Sequence, residues 1–403
     1  MITDLLTLMP MFVTLLWAFI LINTSKYNKA KNMLGYFMLA TFFLFVTHYV
    51  YYNNLKSYYL LFDLLFIFCS LVIYPFYYLY IKVLTRSPEI ILKDYLLFLP
   101  AFLQVLAVSL VYALMSKDLR DYYIDQYLFG DGKYHSAHIL IKVQLILTYT
   151  LQLIYFIQIV LSSYKINKYV NAYNSNIENY YSNLEKKTID WHRLILYSFL
   201  IISLLSIFYN FLGRSFFSQS AWFLAVPSVT YSILLFIFGQ LGNLQNYNVS
   251  NFNIDKLENQ KDGEEDIISN NEKLTKLFPS ELTFLQKLNT EIKEILAKEE
   301  LYCKPDLKIT DLAEKLNTNR TYISNAINAN CGCTFNAFIN KFRIEKAKSL
   351  LSSTEYNQFS LEHIACLCGF TNLHTFIRVF KLTENTTPGK YRLDSQESDK
   401  NVS

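Results

Sequence analysis

The sequence predicts an all-α chain in which a seven-helix transmembrane bundle is followed by a cytoplasmic helical domain. Two observations predict this division. The 403-residue chain is 52% hydrophobic and only 17% charged, whereas soluble proteins carry about 25% charged residues. The charges are also unevenly placed, because long uncharged runs end near residue 254 and charged residues are frequent after it. We therefore expect a membrane part at residues 1–242 and a separate cytoplasmic part after it.

A membrane-spanning helix needs about 20 mostly apolar residues. The membrane part contains seven such runs, uncharged or nearly so. We expect the first run to be retained, because the residues before it carry no positive charge and do not form a cleavable signal. The seven predicted spans are Leu5–Ser25, Met33–Leu55, Ser57–Ile81, Tyr95–Ser116, Val143–Tyr164, Leu194–Gly213 and Ala221–Leu241.

The distribution of Lys and Arg predicts the orientation of these spans. The connections after the first, third and fifth spans carry eleven Lys and Arg residues, and the opposite connections carry five besides Lys142. Positive residues concentrate on the cytoplasmic side of a membrane. We therefore predict a multi-pass protein of the bacterial inner (cytoplasmic) membrane, with its N-terminus outside and its C-terminal domain in the cytoplasm.

Three ionisable residues lie at a similar depth near the outer ends of the predicted spans: His48, Asp63 and Lys142. Ionisable side chains are costly inside a bilayer and often mark functional sites. One hypothesis is an outward-facing pocket that senses a small-molecule or membrane signal. The alternative is a structural pair of Asp63 and Lys142.

Neither catalytic nor metal-binding patterns are evident. The membrane part has no HExxH, GxSxG or P-loop motif, which are the short signatures of common enzyme classes. The two C-x-C pairs, Cys331 with Cys333 and Cys366 with Cys368, do not have the usual spacing of zinc ligands. We therefore predict that the protein is not an enzyme and has no catalytic residues, no metal site and no cofactor.

Residues 243–300 are predicted to be a linker and a coupling helix. The start is rich in Asn and then acidic, which is typical of a flexible tether. A helix with one apolar stripe should follow from Pro279, and the stripe consists of Leu285, Leu288, Ile292 and Ile295. Two heptads are few for a coiled coil, so we expect the stripe to pack onto the next domain. A homodimer contact or a signal-transmitting helix through 281–300 is the alternative.

Residues 301–392 carry twelve basic and seven acidic residues and contain the same helical pattern twice. In "ITDLAEKLNTNRTYISNAIN" (309–328), Thr310 is the expected N-cap of a short helix, and a tight turn leads to a second helix. The predicted inward positions are Leu312, Ala313, Leu316, Tyr322, Ile323, Ala326 and Ile327. This leaves a polar outer face on the second helix, which is typical of a helix-turn-helix.

The second copy is "SLEHIACLCGF" (360–370) followed by "NLHTFIRVFK" (372–381). Ser360 is its expected N-cap, and Cys368 is an expected core residue. The stretch "TFNAFINKFRIEKAKSLL" (334–351) has the apolar spacing of a long connecting helix. We predict a disordered tail at 393–403.

The motifs "DLAEKL", "YISNAIN", "FINKFRIEKAKSLL", "IACLCGF" and "FIRVFK…TPGKYR" occur in this order. The segment resembles the DNA-binding domain of the AraC/XylS family of bacterial transcription regulators. The whole chain resembles the smaller group of these regulators that has a multi-span N-terminal membrane region. The family usually has Gly where this chain has Asn385, and Asn tolerates a positive φ.

The resemblance implies that two helix-turn-helix units place recognition helices in successive major-groove segments of double-stranded DNA. Arg378 is suited to reading guanine and Asn325 to reading adenine, while Arg320 and Lys381 are expected at phosphates. The residues that the resemblance assigns to DNA binding are Arg320, Thr321, Ser324, Asn325, Asn328, His374, Ile377, Arg378 and Lys381.

The resulting functional prediction is a membrane-anchored, one-component transcription regulator. Its partners would be DNA, the lipid bilayer and an unidentified signal. One alternative is a membrane transporter or enzyme domain fused to a regulatory DNA-binding domain. Another is a bare membrane anchor from which the DNA-binding part is released by proteolysis.

Overall fold

The computed structural model describes residues 2–24, 28–129, 138–191, 193, 195, 197, 198, 201, 221–258 and 279–400. This part of the chain is helical and contains no β-strand; Tyr181 and Lys308 form a single antiparallel bridge. The chain divides into two compact units. The apolar unit is Met1–Asn171 with Ile189–Asn251, and the C-terminal unit is Ala172–Thr188 with Phe252–Ser403.

Long apolar helices make up the apolar unit. Helix α1 packs against α2 and α8, α2 packs against α3, and α3 packs against α5. Close approach of α1 and α8 depends on Gly239, where a Cβ atom would lie 2.3 Å from the Trp17 ring. The described helices are α1 Ile2–Thr24, α2 Lys29–Tyr52, α3 Tyr59–Thr85, α4 Leu92–Tyr95, α5 Leu99–Leu114, α6 Lys117–Tyr123, α7 Ile139–Glu178 and α8 Ala221–Leu244.

The outer surface of this unit is apolar, and so is its core. Among the large side chains that it exposes are Phe12, Leu61, Phe102, Leu114 and Tyr149. Water-soluble monomers rarely expose contiguous apolar patches of more than a few hundred Å². The surface of the apolar unit therefore suits an apolar surrounding.

Five helical stretches of the described chain are long and apolar enough to cross a membrane. They coincide with the second, third, fourth, fifth and seventh predicted spans. The first predicted span is helical, with a shorter apolar stretch at Leu8–Asn23. Most of the sixth, Leu194–Gly213, lies outside the described residues. The fold class is thus confirmed as helical, and the count of seven spans stays a prediction.

Helix α7 is longer than the sequence predicts. Its apolar part ends near Tyr164, but the helix continues to Glu178 and has 40 residues. At a rise of about 1.5 Å per residue, such a helix is about 60 Å long, roughly twice the thickness of a bilayer core. Its last turns, from Ala172, belong to the C-terminal unit.

The α-helices that lie wholly in the described part of the C-terminal unit have between 7 and 21 residues. The final turns of α9 belong to it as well. Its second half has a core of residues such as Ile344, Leu351, Ile364, Phe376 and Phe380, and Cys368 lies in this core as predicted. The helices are α9 Val249–Glu258, α10 Pro279–Glu299, α11 Ile309–Lys315, α12 Arg320–Cys331, α13 Phe335–Ser352, α14 Leu361–Leu367, α15 Leu373–Glu384 and α16 Pro388–Lys400.

Three local predictions are wrong. The N-cap of α11 is Lys308 rather than Thr310, because the Asp311 carboxylate accepts a hydrogen bond from the Lys308 N–H (3.2 Å). Residues 393–400, expected to be a disordered tail, continue α16. A hydrogen bond between Gln396 and Asn357 (2.8 Å) helps to hold that extension.

The third difference concerns the tether. Residues 249–258 form α9 because the Asn248 side chain accepts a hydrogen bond from the Ser250 N–H (2.8 Å) and because Phe252 packs on Tyr180 and Tyr181. The rest of the predicted tether, from residue 259, lies outside the described residues.

Candidate DNA-binding surface

The two predicted helix-turn-helix units have the same turn geometry. In the first, the N–H groups of Asn317 and Thr318 donate to the carbonyls of Glu314 (3.2 Å) and Ala313 (2.9 Å). In the second, Gly369 and Phe370 donate to Cys366 (2.9 Å) and Ala365 (2.9 Å) in the corresponding pattern. Asn317 and Gly369 adopt φ values of 48° and 87°, a left-handed conformation that Asn and Gly tolerate best.

An Asn side chain then starts the second helix of each unit. Asn319 accepts a hydrogen bond from the Tyr322 N–H (3.0 Å), and Asn372 accepts one from the Thr375 N–H (2.8 Å). Asn is among the best N-cap residues because its side-chain oxygen satisfies a free N–H of the first turn. The sequence therefore fixes the start of both helices, and with it the direction of their outer faces.

The side chains predicted to contact DNA occupy equivalent places on α12 and α15. They are the second, fifth, sixth and ninth residues of each helix. On α12, Thr321 is exposed and the other three are half-buried. On α15, Ile377 is half-buried and the other three are exposed: His374, Arg378 and Lys381. Arg320, also predicted to contact DNA, is the first residue of α12. The equivalent positions are Thr321 and His374, Ser324 and Ile377, Asn325 and Arg378, and Asn328 and Lys381.

Two side chains differ from their predicted environments. Tyr322, expected to face inward, is 46% exposed, and its ring lies edge-on to Phe284 of α10 with a centroid separation of 5.4 Å. Ile377, expected to face DNA, packs against the core of the second unit and is only partly accessible. Ile323, Ala326 and Ile327 are buried as predicted.

Helix α10 covers the first unit. Its Leu285, Leu288 and Ile292 are buried, and it packs against α12. Leu296, rather than the predicted Ile295, completes the buried stripe. The expected packing of this helix onto the next domain is confirmed, and the apolar stripe that a dimer through 281–300 would use is occupied within the chain.

A second element, which the sequence does not predict, attaches to this domain. We call residues 180–188 the clamp segment; it follows α7 directly. The Ser182 N–H donates to the Leu307 carbonyl (3.0 Å), and the Ile309 N–H donates to the Tyr180 carbonyl (3.0 Å). Lys308 and Tyr181 both contact the Asp255 carboxylate. Residues from three separate parts of the chain therefore meet at the start of α11.

Arg343 of α13 joins the clamp segment to the domain interior. Its side chain is only 2% exposed, and this burial lowers the pKa of Arg343 to about 10, so that it stays cationic at neutral pH. The guanidinium donates to the carbonyls of Tyr302 (2.7 Å) and Lys304 (2.9 Å), and to both the carbonyl and the hydroxyl of Ser182 (3.3 and 3.2 Å). These acceptors offset the cost of burying the charge.

The three predicted sensing residues do not share one set of contacts. Asp63 accepts a hydrogen bond from the Tyr112 hydroxyl (2.7 Å), which in turn accepts one from Gln144 (3.3 Å). Lys142 is exposed, and among the described residues it forms no ion pair with Asp63. The described residues thus show Asp63 bonded to a tyrosine, and its structural pairing with Lys142 stays a hypothesis.

His48 lies in an aromatic environment instead. Its Nδ1–H donates to the Leu44 carbonyl (2.8 Å), and its ring lies 5.7 Å from that of Phe66. Asp63 and His48 thus make separate local contacts at neighbouring helices, and a common pocket for His48, Asp63 and Lys142 stays a hypothesis.

Comparison with known proteins identifies the C-terminal domain. Residues 312–394 match the family model described as "Helix-turn-helix domain". An 86-residue stretch is 33% identical to the Xylose operon regulatory protein of Escherichia coli K12, and covers 21% of each chain. Another, of 87 residues, is 32% identical to the "Uncharacterized HTH-type transcriptional regulator YtdP" of Bacillus subtilis 168, and covers 22% of this chain and 11% of that protein.

Among solved structures, the chain is similar to the C-terminal domain of the two-component response regulator yesN from Fusobacterium nucleatum. The identity is 32%, the TM-score is 0.24, and the match covers 26% of this chain and 98% of that one. The chain spans about a tenth to a fifth of the length of the curated relatives described above. The matched segment is a helix-turn-helix domain, and this match does not extend to the apolar unit.

Proposed function

We propose that the chain is a membrane-anchored transcription regulator that binds double-stranded DNA sequence-specifically through α12 and α15. The observation that carries this proposal is the repeated geometry of the two units. Matching turns and matching Asn caps place outward side chains at the same positions of both helices. In a helix-turn-helix, such a helix enters the major groove, and the relatives are named as regulators.

The chemistry of the two outer faces fits DNA. Arg378 can donate two hydrogen bonds to a guanine edge, and Asn325 can pair with adenine. Lys381 and Arg320 would neutralise phosphates. Of these four, Arg378 and Lys381 are exposed and Asn325 and Arg320 are half-buried, so each keeps surface with which to reach a ligand.

Membrane anchoring is proposed for the apolar unit. Its support is the set of five long apolar helices and the apolar side chains on their outer surface. The excess of Lys and Arg after the first, third and fifth predicted spans supports a cytoplasmic location for the DNA-binding domain. We further propose that the apolar unit senses a signal, with Asp63 and its partner Tyr112 as the first residues to test.

Genome-wide DNA occupancy of the intact protein tests the proposal. The Arg378→Ala/Asn325→Ala double variant should lose the discrete peaks of the wild type while staying in the membrane fraction. Lys298→Ala removes an exposed charge on α10 and is the matched control, which should keep the peaks.

Three results would contradict parts of the proposal. Peaks that persist in the double variant would show that α12 and α15 do not read DNA. Absence of peaks from the wild type would oppose regulation by DNA binding. Recovery of the wild-type protein from the soluble fraction would oppose membrane anchoring.

A further inference from the structure

The clamp segment reaches the helix that is proposed to read DNA in the second unit. Glu185 Oε2 accepts hydrogen bonds from the Thr371 hydroxyl (2.8 Å) and from the Asn372 side-chain amide (2.7 Å). Asn372 is the N-cap of α15, and its oxygen holds the first turn through the Thr375 N–H. A carboxylate from residues 180–188 therefore sits at the start of this helix.

That position is chemically suited to a DNA phosphate. The N-terminus of a helix attracts anions, because its N–H groups and the helix dipole point outward there. A recognition helix also presents its N-terminal residues to the groove, between the two phosphate backbones. Hydroxyl and amide donors such as Thr371 and Asn372 commonly bind phosphate oxygens. Glu185 uses these same donors and adds a negative charge that would repel DNA.

We propose that Glu185 is an intramolecular competitor of DNA, which occupies the start of α15 in the unbound protein and must leave before the second unit binds. This inference rests on the proposed function, because it presupposes that α15 contacts DNA. The clamp segment would thus obstruct the start of α15, whereas among the described residues its backbone hydrogen bonds with the first unit lie at the start of α11 and not on α12.

The contacts of the clamp segment are buried at Ser182 and exposed at Glu185. Ser182 is buried and bonded to Arg343 and to Asn336, whose side-chain amide donates to the Ser182 carbonyl (2.6 Å). Glu185 and Thr371 are exposed, and solvent-exposed polar contacts are individually weak. The segment can therefore release α15 at Glu185 while it stays anchored at Ser182.

The backbone next to Glu185 has a defined conformation that aims the carboxylate at α15. Lys186 has a φ of 58°, a conformation that is uncommon for a residue with a long side chain. The Glu185 N–H is held by the Asn183 side chain (3.0 Å), whose amide donates to Asp306 (3.2 Å). A local chain of polar contacts thus orients the Glu185 carboxylate.

Equilibrium DNA binding by the full-length protein in lipid nanodiscs tests the inference. The probe is a duplex recovered from the genome-wide occupancy experiment, with a random duplex beside it, at one fixed salt concentration. Glu185→Ala should bind the recovered duplex about 3–10-fold more tightly than the wild type, because a competitor reduces the binding-competent fraction. Glu185→Gln, which keeps an acceptor but loses the charge, should lie between the two.

The control is Glu294→Gln, which removes an exposed carboxylate on α10. It corrects for the general gain in affinity for DNA that follows from deleting any negative charge. A gain for Glu185→Ala that exceeds this control supports the inference. An affinity equal to the wild type or to the control overturns the inference alone, and weaker binding would show that Glu185 instead organises α15 for DNA.

Failure of the proposed function has a different signature. If neither the wild type nor Glu185→Ala binds either duplex, the proposed DNA binding is wrong. The proposed competition between Glu185 and DNA is then excluded as well. If both bind equally well, DNA binding stands and only the role of Glu185 is excluded.

Discussion

The two helix-turn-helix units share a backbone design but present different chemistry. Both use a left-handed turn residue and an Asn cap, and in both the candidate contact residues are the second, fifth, sixth and ninth of the second helix. On α12 these positions carry the neutral residues Thr321, Ser324, Asn325 and Asn328, whereas on α15 three of the four are His374, Arg378 and Lys381. Turn and cap residues therefore set the geometry of each unit, while the outer positions are free to set the ligand.

The turn at Gly369 should tolerate an added side chain poorly, and substitution there has the largest expected effect on stability. Gly369→Ala would place a Cβ atom 2.7 Å from the carbonyl oxygens of Tyr302 and Cys303, at a φ of 87°. We expect a loss of about 3 kcal/mol or more in the free energy of unfolding, from backbone strain and the clash together. Pulse proteolysis in urea, followed with an antibody against the C-terminus, measures it.

Gly332→Ala is the matched control for that experiment. Gly332 also has a positive φ of 60°, but no atom of the described residues lies within 4 Å of the added Cβ. Its cost should be about 1 kcal/mol, from the conformation alone. Equal losses in the free energy of unfolding for both variants would mean that the close contacts of Gly369 with Tyr302 and Cys303 add nothing to the cost of the backbone conformation.

The difference in outer chemistry predicts a different response to salt. Arg378→Ala and Asn325→Ala should each cost about 1–3 kcal/mol of binding free energy and relax base preference at one position. Only Arg378→Ala should also flatten the dependence of affinity on salt, since only it removes a charge. Titrations of the recovered duplex at several salt concentrations check both effects.

The smallest expected effect concerns the last outward position of each helix. Lys381→Gln should weaken binding to all sequences alike and reduce the slope of log affinity against log salt by about 1, as expected for one phosphate contact. Asn328→Ala, at the equivalent position of α12, should leave the slope unchanged. A slope that falls for both variants, or for neither, would remove the proposed contrast between the units.

Much of this domain is predictable from the sequence because its signals are local. The turn residues, the caps at Asn319, Ser360 and Asn372, and the apolar spacing lie within a few residues of one another. Asn385, at the place where the family usually has Gly, adopts a φ of 56° at the end of α15, in line with the tolerance of Asn for that conformation. Even the error at Thr310 is local, since Asp311 provides the competing cap.

The parts that could not be predicted depend on distant residues. Ser182 and Arg343 are 161 positions apart, and nothing near Ser182 indicates its partner. The extension of α7 past Tyr164 was missed because apolar periodicity ends there, although a helix can continue through polar residues. In the apolar unit, the lengths of the apolar runs predict helices but do not predict which residue bonds to Asp63.

The distance along the chain between the clamp segment and its binding site has a consequence for chain cleavage. As long as the chain is intact, Glu185 is a tethered ligand, and tethering raises its effective concentration at the start of α15. A cut between Thr188 and Phe252 would remove the covalent connection, and noncovalent contacts such as those of Ser182 with Arg343 would then have to retain the clamp segment. A fragment that begins at Pro279 lacks residues 180–188, and its α15 would have no contact with Glu185.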